Sequence, residues 1–247
     1  MADRVVVGLH PVRELLRAGR SVRRVAVASG RTDSDVLGEL LDLARSAGVQ
    51  VDRVDRDELD SRAEGLVHQG VVATAPPFPY ADLQQVLDRA DRDGRAPLLV
   101  ALDGVTDPHN LGSICRTAEA VGADAVIVPG RRAASVTPTV EKSAAGALAH
   151  LPVVQVTNLV RTLTDIADRP VWSLGLAGEG DVEIADSHLL ADPVVLVVGA
   201  EGSGLSRLTR DTCDQLVRLP MRGQVGSLNA SVATAVALYA IDAARHA

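Results

Sequence analysis

Leu98-Leu99-Val100-Ala101-Leu102-Asp103-Gly104-Val105-Thr106-Asp107-Pro108-His109-Asn110-Leu111-Gly112-Ser113-Ile114-Cys115-Arg116-Thr117-Ala118-Glu119 passes from an unbroken apolar run, through a polar turn, into helically spaced residues. The run Leu98 to Leu102 reads as a strand and Leu111 to Val121 as a helix, with Asn110 or Ser113 as candidate N-cap. The same alternation continues downstream. Strands are expected at Ala125 to Val128, Val153 to Val156, Val171 to Leu176, Val194 to Val198 and Leu216 to Leu219. Helices are expected at Thr139 to Ala147, Leu159 to Ala167, Ser206 to Asp214 and Leu228 to Ala244. Val/Leu/Ile-rich strands separated by helices predict an α/β fold with a mainly parallel sheet covered on both faces. Ligands in such sheets sit at the carboxyl ends of the strands, so the loops there are the places to search.

Upstream, Pro76-Pro77-Phe78-Pro79 cannot lie inside a helix or a central strand. The polar stretch that follows, with Asp88, Arg89, Asp91, Arg92, Asp93, Gly94 and Arg95, reads as a linker with one short helix. Before it, helices at Pro11 to Ala18 and Asp33 to Ala47 alternate with strands at Val25 to Ala28, Val49 to Val54 and Gly70 to Ala75. The expected organisation is a small N-terminal α/β module over 1–75, a linker over 76–96 and a larger domain over 97–247.

Composition narrows the function. Of 247 residues, 47% are hydrophobic, enough for a well-buried core, yet no run reaches the ~18 apolar residues that a membrane helix requires. The start, Met1-Ala2-Asp3-Arg4-Val5, lacks the build of a signal peptide, so a cytoplasmic protein with no membrane partner is expected. Cys115 and Cys213, the only cysteines, form neither a CxxC nor a Cys/His cluster, and no metal is expected. A net charge of −7 counts against nonspecific polyanion binding, and 2% aromatic residues remove base stacking as the main mode of contact. Charge is nonetheless uneven. Between His10 and Arg31, six arginines stand against the single acid Glu14; if RNA is a partner, Arg13, Arg17, Arg20 and Arg24 are the candidate contacts. Arg131 and Arg132, just after a strand, are candidates to extend that surface.

Two further loops carry chemical content. Val198-Gly199-Ala200-Glu201-Gly202-Ser203-Gly204-Leu205 has three glycines in six residues, which permits a tight turn and close backbone approach to a ligand. It is neither a Rossmann GxGxxG nor a P-loop. Glu201 inside it would repel a pyrophosphate but tolerate a cationic ligand. Leu219-Pro220-Met221-Arg222-Gly223-Gln224-Val225-Gly226-Ser227-Leu228-Asn229-Ala230-Ser231 again leads from a strand through glycines into a helix, with Ser227 as candidate N-cap.

In order, Asn-x-Gly-x-x-x-Arg-Thr-Ala, Val-Gly-x-Glu-Gly-x-Gly and Leu-Pro-Met-x-Gly-x-x-x-Ser-Leu-Asn-x-Ser closely resemble the three motifs of the SpoU/TrmH family of RNA 2'-O-ribose methyltransferases. The likeness covers about 97 to 247. The N-terminal Val7-Gly8-Leu9-His10-Pro11-Val12 and His68-Gln69-Gly70 look like the substrate-binding module often attached in that family. The resemblance implies a C-terminal trefoil knot, S-adenosylmethionine as methyl donor and a homodimer with the active site at its two-fold interface. It also implies ribosomal RNA as partner, most closely a guanosine of 23S rRNA. Carried over by position, Gly199, Leu219, Met221 and Leu228 would hold the donor, and Asn110, Arg116, Glu201, Ser227 and Asn229 would form the catalytic set. The competing readings are a non-enzymatic RNA-binding dimer, a conventional nucleotide-dependent enzyme, and a tRNA or antibiotic-resistance rRNA methyltransferase.

Overall fold

The computed structural model describes residues 3–31, 34–131 and 133–247. The chain divides into two compact units, Met1–Pro79 with Val136–His150, and Tyr80–Ser135 with Leu151–Ala247.

The first unit contains β1 (Arg4–Val7), α1 (Leu9–Arg17), β2 (Arg24–Ala28), α2 (Asp35–Ser46), β3 (Gln50–Val54), α3 (Arg56–Arg62) and β4 (Val71–Ala75). Its sheet runs β1-β4-β2-β3, antiparallel except where β2 meets β3. Val12, Leu15 and Leu16 of α1 and Leu37, Leu40 and Ala44 of α2 share one buried cluster with Val25, Val27, Val71 and Ala73 of the strands. Burying each such side chain stabilises by about 1.5–3 kcal/mol. Two elements, β1 and α3, had no signal in the spacing: β1 is four residues long and α3 is almost wholly charged. The expected start of α2 at Asp33 lies outside the described residues. Ser34 caps that helix, accepting from the Leu37 amide.

In the second unit, α4 (Leu83–Arg92) precedes β5 (Leu98–Asp103), α5 (Pro108–Ala120) and β6 (Ala125–Pro129). The helix α6 (Pro138–Ser143) follows β6 in the chain but clusters with the first unit. Then come β7 (Val153–Val156), α7 (Leu159–Ala167), β8 (Trp172–Leu176), β9 (Val182–Glu183), β10 (Val194–Gly199), α8 (Arg207–Thr212), β11 (Gln215–Arg218) and α9 (Ala230–Arg245). The strands order β7-β6-β5-β10-β8-β11-β9, and every pair is parallel. The central β10 is buried at every position, as a strand covered on both faces must be. On one side it shares a core with α4 and α7; α9 packs on it and on α5.

Two differences from the sequence reading have a physical cause. The stretch read as a linker with one short helix does carry that helix, α4, capped by Asp82, but it is no mere linker: Val86, Leu87 and Ala90 are buried, the first two in one core with Leu99, Ala101 and Ile127. Its charged residues occupy the other face, so a small apolar stripe was outvoted by its polar neighbours. Likewise, 136–150 does not join the second unit. There Arg4 donates to Glu141 at 3.1 Å, and Arg20 donates to the Ala149 carbonyl at 2.9 Å. Burial pushes the Glu141 carboxyl up to about 7, against the opposing pull of Arg4.

Candidate active site

The carboxyl ends of β5, β10, β8 and β11 lie side by side, because these strands are consecutive neighbours in the sheet. Their loops therefore gather on one edge. Asp103, at the end of β5, accepts from the Ser206 amide at 2.7 Å and ties the first motif loop to the turn after β10.

The turn after β10 is closed by reciprocal backbone bonds between Ala200 and Gly204, of 3.1 and 2.9 Å. Gly202 and Gly204 have φ of 81° and 65°, left-handed values that side chains disfavour. Any Cβ on Gly199 would collide with the backbone of Gly204 and Leu205. The glycine pattern is thus a steric requirement of the fold-back.

A cleft of about 290 Å³ opens beside this turn. Gly199, Glu201, Leu219, Met221, Ser227 and Leu228 line it, so loops two and three form its walls. The first loop joins through hydrogen bonds. Asn110 Nδ2 donates to Glu201 at 3.3 Å, and Asn229 Nδ2 donates to Asn110 Oδ1 at 2.9 Å. Asn110 is buried, 6% exposed, and its amide is fixed between a carboxylate and a second amide.

Both expected helix caps fall elsewhere. Asp107 caps α5, accepting from the His109 amide with Pro108 in the first turn, which leaves Asn110 inside the helix to face Glu201. Asn229 rather than Ser227 caps α9, accepting from the Ser231 and Val232 amides. One amide of Asn229 therefore serves helix and network together.

Arg116 stands apart. It is exposed on α5, does not line the cleft, and makes no hydrogen bond or ion pair with any described residue. Arg13 and Arg17 bridge to Glu14 and Glu39. Arg20 reaches the Ala149 carbonyl, and Arg24 pairs with Asp52 and Gln50. Arg132 lies outside the described residues.

Sequence reasoning missed the loop after β8. Leu176, Ala177, Gly178 and Glu179 line the cleft, as does Arg210 of α8. Glu179 and Arg210 pair at 2.7 Å, while the buried Arg210 Nε has no partner among the described residues. The signal was present in Gly175-Leu176-Ala177-Gly178-Glu179-Gly180, a glycine-rich stretch following a strand. The two cysteines are not nucleophiles here, since burial, chiefly, pushes each thiol up to about 12.

The profile of the SpoU rRNA Methylase family matches residues 97–239, which include all three motif loops. The chain belongs to this family. A second profile, RNA 2'-O ribose methyltransferase substrate binding, matches residues 5–81. The chain is 48% identical over 238 residues to a 23S rRNA (guanosine-2'-O-)-methyltransferase RlmB of Pseudomonas syringae pv. tomato, covering 95% of this chain and 93% of the relative. It is 39% identical over 248 residues to a putative TrmH family tRNA/rRNA methyltransferase of Staphylococcus haemolyticus, covering 100% and 98%. Among solved structures, the SpoU methyltransferase AviRb from Streptomyces viridochromogenes in complex with AdoMet superposes with a TM-score of 0.83. It is 31% identical and covers 99% of this chain and 91% of that one.

As a member of this family the chain is an RNA 2'-O-methyltransferase that uses S-adenosylmethionine. The cleft suits that donor. Leu176, Leu219, Leu228 and Met221 offer apolar surface for an adenine, and the crowded glycine turn lets backbone groups approach a ribose. Glu179 and Glu201 are compatible with a sulfonium charge where a pyrophosphate would be repelled.

Proposed function

We propose that this chain methylates the ribose 2'-oxygen of a guanosine in 23S rRNA, working in the cytoplasm as a homodimer whose C-terminal segment is knotted. The observation that carries the reading is the meeting of three motif loops at one cleft, with Asn110, Glu201 and Asn229 joined in a single hydrogen-bonded chain. The 48% identity to an enzyme named for that reaction supports the choice of substrate.

When bound, S-adenosylmethionine supplies an electrophilic methyl group on a cationic sulfur. The backbone at Gly199, Leu219 and Leu228, with Met221 beside them, would hold its adenosyl part. Glu179 and Arg210, of opposite charge, would receive the ammonium and carboxylate of its amino-acid end. Ser227, Asn229, Asn110 and Glu201 would fix the incoming ribose. By holding the 2'-oxygen in its reacting position, these residues would supply much of the rate. With the methyl group supplied by that donor, the ribose hydroxyl would give its proton to a neighbouring RNA phosphate oxygen. Arg116 does not take it, because a guanidinium stays protonated. Its planar cation instead stabilises the developing alkoxide.

An Arg116 absent from its own cleft fits a site completed by a second copy. Val232, Val236 and Tyr239 are exposed on α9 at i, i+4 and i+7, an apolar stripe suited to an isologous contact. For the knot, β8 lies between β10 and β11 although it precedes both, and α9 then returns to α5 and β10. Among the described residues no helix is long and apolar enough to cross a membrane. The module over 1–75 is assigned to RNA, with Arg13, Arg17, Arg20 and Arg24 following the backbone by exchanging their present partners for phosphates.

Ribose-methylation mapping of 23S rRNA and tRNA, from cells with and without the gene, tests the reading. One guanosine of 23S rRNA should lose its 2'-O-methyl group. Loss confined to tRNA, or no loss in either RNA, would overturn it.

A further inference from the structure

A second cleft, of about 710 Å³, lies in the first unit. It is walled by the turn after β2, the start of α3 and the segment Gly65–Gly70 that leads into β4. Its floor is rigid. His68 is buried, with Nε2 at 2.9 Å from Asp60 and Nδ1 accepting the Gly70 amide at 2.9 Å. With Nδ1 accepting, Nε2 is the ring nitrogen that faces Asp60 as donor. Gln69 has a φ of 49°, a left-handed value unusual for a residue with a side chain. Gly70, at φ 77°, leaves room for the Arg31 guanidinium, whose Nη1 lies 2.8 Å from where a Cβ would stand.

Arg31 is the unbalanced charge. Its Nε is buried without a hydrogen-bond partner, and the guanidinium pairs with nothing among the described residues. The two carboxylates on the cleft are engaged elsewhere. Asp55 caps α3 through the Glu58 amide, and Asp60 holds His68. A guanidinium that no described carboxylate pairs with can take an anionic ligand. The space exceeds what a phosphate fills. Val67, 68% exposed, adds an apolar wall, and Gln69 adds an amide able both to donate to and to accept from a base edge. Unstacked bases in single-stranded segments present their Watson–Crick edges, which pairing occupies in an A-form helix.

We propose that this cleft binds one unstacked nucleotide of the RNA substrate, its phosphate on Arg31 and its base against Val67 and Gln69. The inference rests on RNA being the substrate and adds where, and in what state, the first unit reads it. It explains why His68-Gln69-Gly70 lies in the module although it is remote in sequence from the three motifs.

The test uses the full-length protein and a 23S rRNA transcript. Arg31→Ala should raise the transcript's Kd and KM about tenfold and lower the salt slope of binding by about one. Turnover at saturating RNA and S-adenosylmethionine affinity by calorimetry should stay within about twofold of wild type. Gln69→Ala should weaken the transcript in the same sense. A short single-stranded oligoribonucleotide should compete with the transcript, and a blunt RNA duplex of equal length should not. Unchanged transcript affinity and salt slope in Arg31→Ala, with wild type methylating the transcript, would overturn the cleft alone. Equal competition by the duplex would also overturn it. Failure of wild type to bind any rRNA would overturn the substrate assignment and this inference with it.

Discussion

In the first unit Arg4, Arg13, Arg17, Arg20 and Arg24 each donate to an oxygen of the same unit, whereas Arg116 of the second unit donates to none among the described residues. The first group sets local charge. Burial alone would raise the Glu14 carboxyl, but hydrogen bonds from Arg13 and His150 and the charge of Arg17 outweigh it and hold it below its usual value. The guanidinium of Arg17 is raised by its hydrogen bond to Glu39. Arg116 instead keeps its donors free on a helix whose buried face carries the site's amide network. Side chains of one type thus do different work, and the difference lies in their partners.

The sharpest way to break that contrast is Arg116→Ala. Transition-state stabilisation by one cation predicts a loss of about 10³-fold in single-turnover methyl transfer to 23S rRNA, with S-adenosylmethionine affinity unchanged. Arg116→Lys should recover less than about a tenth of wild-type turnover, because the planar fork is lost although the charge remains. Near-normal turnover by the lysine variant would end the clamp assignment.

Arg4 probes the opposite case, an arginine facing a buried acid. The Glu141 carboxyl, raised to about 7 from an ordinary value near 4.5, makes the folded chain bind more protons than the unfolded chain in that window. Its stabilising contribution is complete below 4.5 and is lost as the pH climbs through 7. Urea unfolding between pH 4.5 and 8 should show up to about 3 kcal/mol of this loss in wild type and little in Glu141→Gln. Parallel curves for the two proteins would refute it.

Arg210 is intermediate, being paired with Glu179 yet partly unsatisfied. Arg210→Ala should weaken S-adenosylmethionine about tenfold in calorimetry. It should leave 5'-methylthioadenosine, which lacks the amino-acid end, unaffected. Equal weakening of both ligands would place Arg210 in a structural role. The smallest effect is expected from Arg17→Ala. Exchanging an exposed ion pair for an exposed phosphate contact is nearly neutral, so RNA affinity should shift by less than about threefold in a binding titration.

Much of the second unit was legible because β5 and β10 are unbroken apolar runs and α7 is amphipathic: each falls on the residues its pattern marks. The three motif loops were also legible, since glycine and asparagine at strand ends have steric and hydrogen-bonding consequences visible in one dimension. The misread features each depended on competition between neighbours. Asp107 displaced Asn110 as a cap because Pro108 fits the first turn, and Asn229 displaced Ser227. The short helix expected in the linker, α4, proved to be part of the core because its charges hid its apolar stripe, and α6 left the unit to which its place in the chain pointed.

The sequence by itself determined the class of fold, the order of the motifs and the family, because hydrophobic period and glycine placement are local properties of the chain. Tertiary structure alone decided which arginines lack partners among the described residues, that Asn110 bonds Glu201 and Asn229 across large gaps in sequence, and that Glu179 and Arg210 line the same cleft as the motif loops. Those outcomes rest on distances of about 3 Å between residues far apart in the chain, and one-dimensional spacing carries no record of such distances.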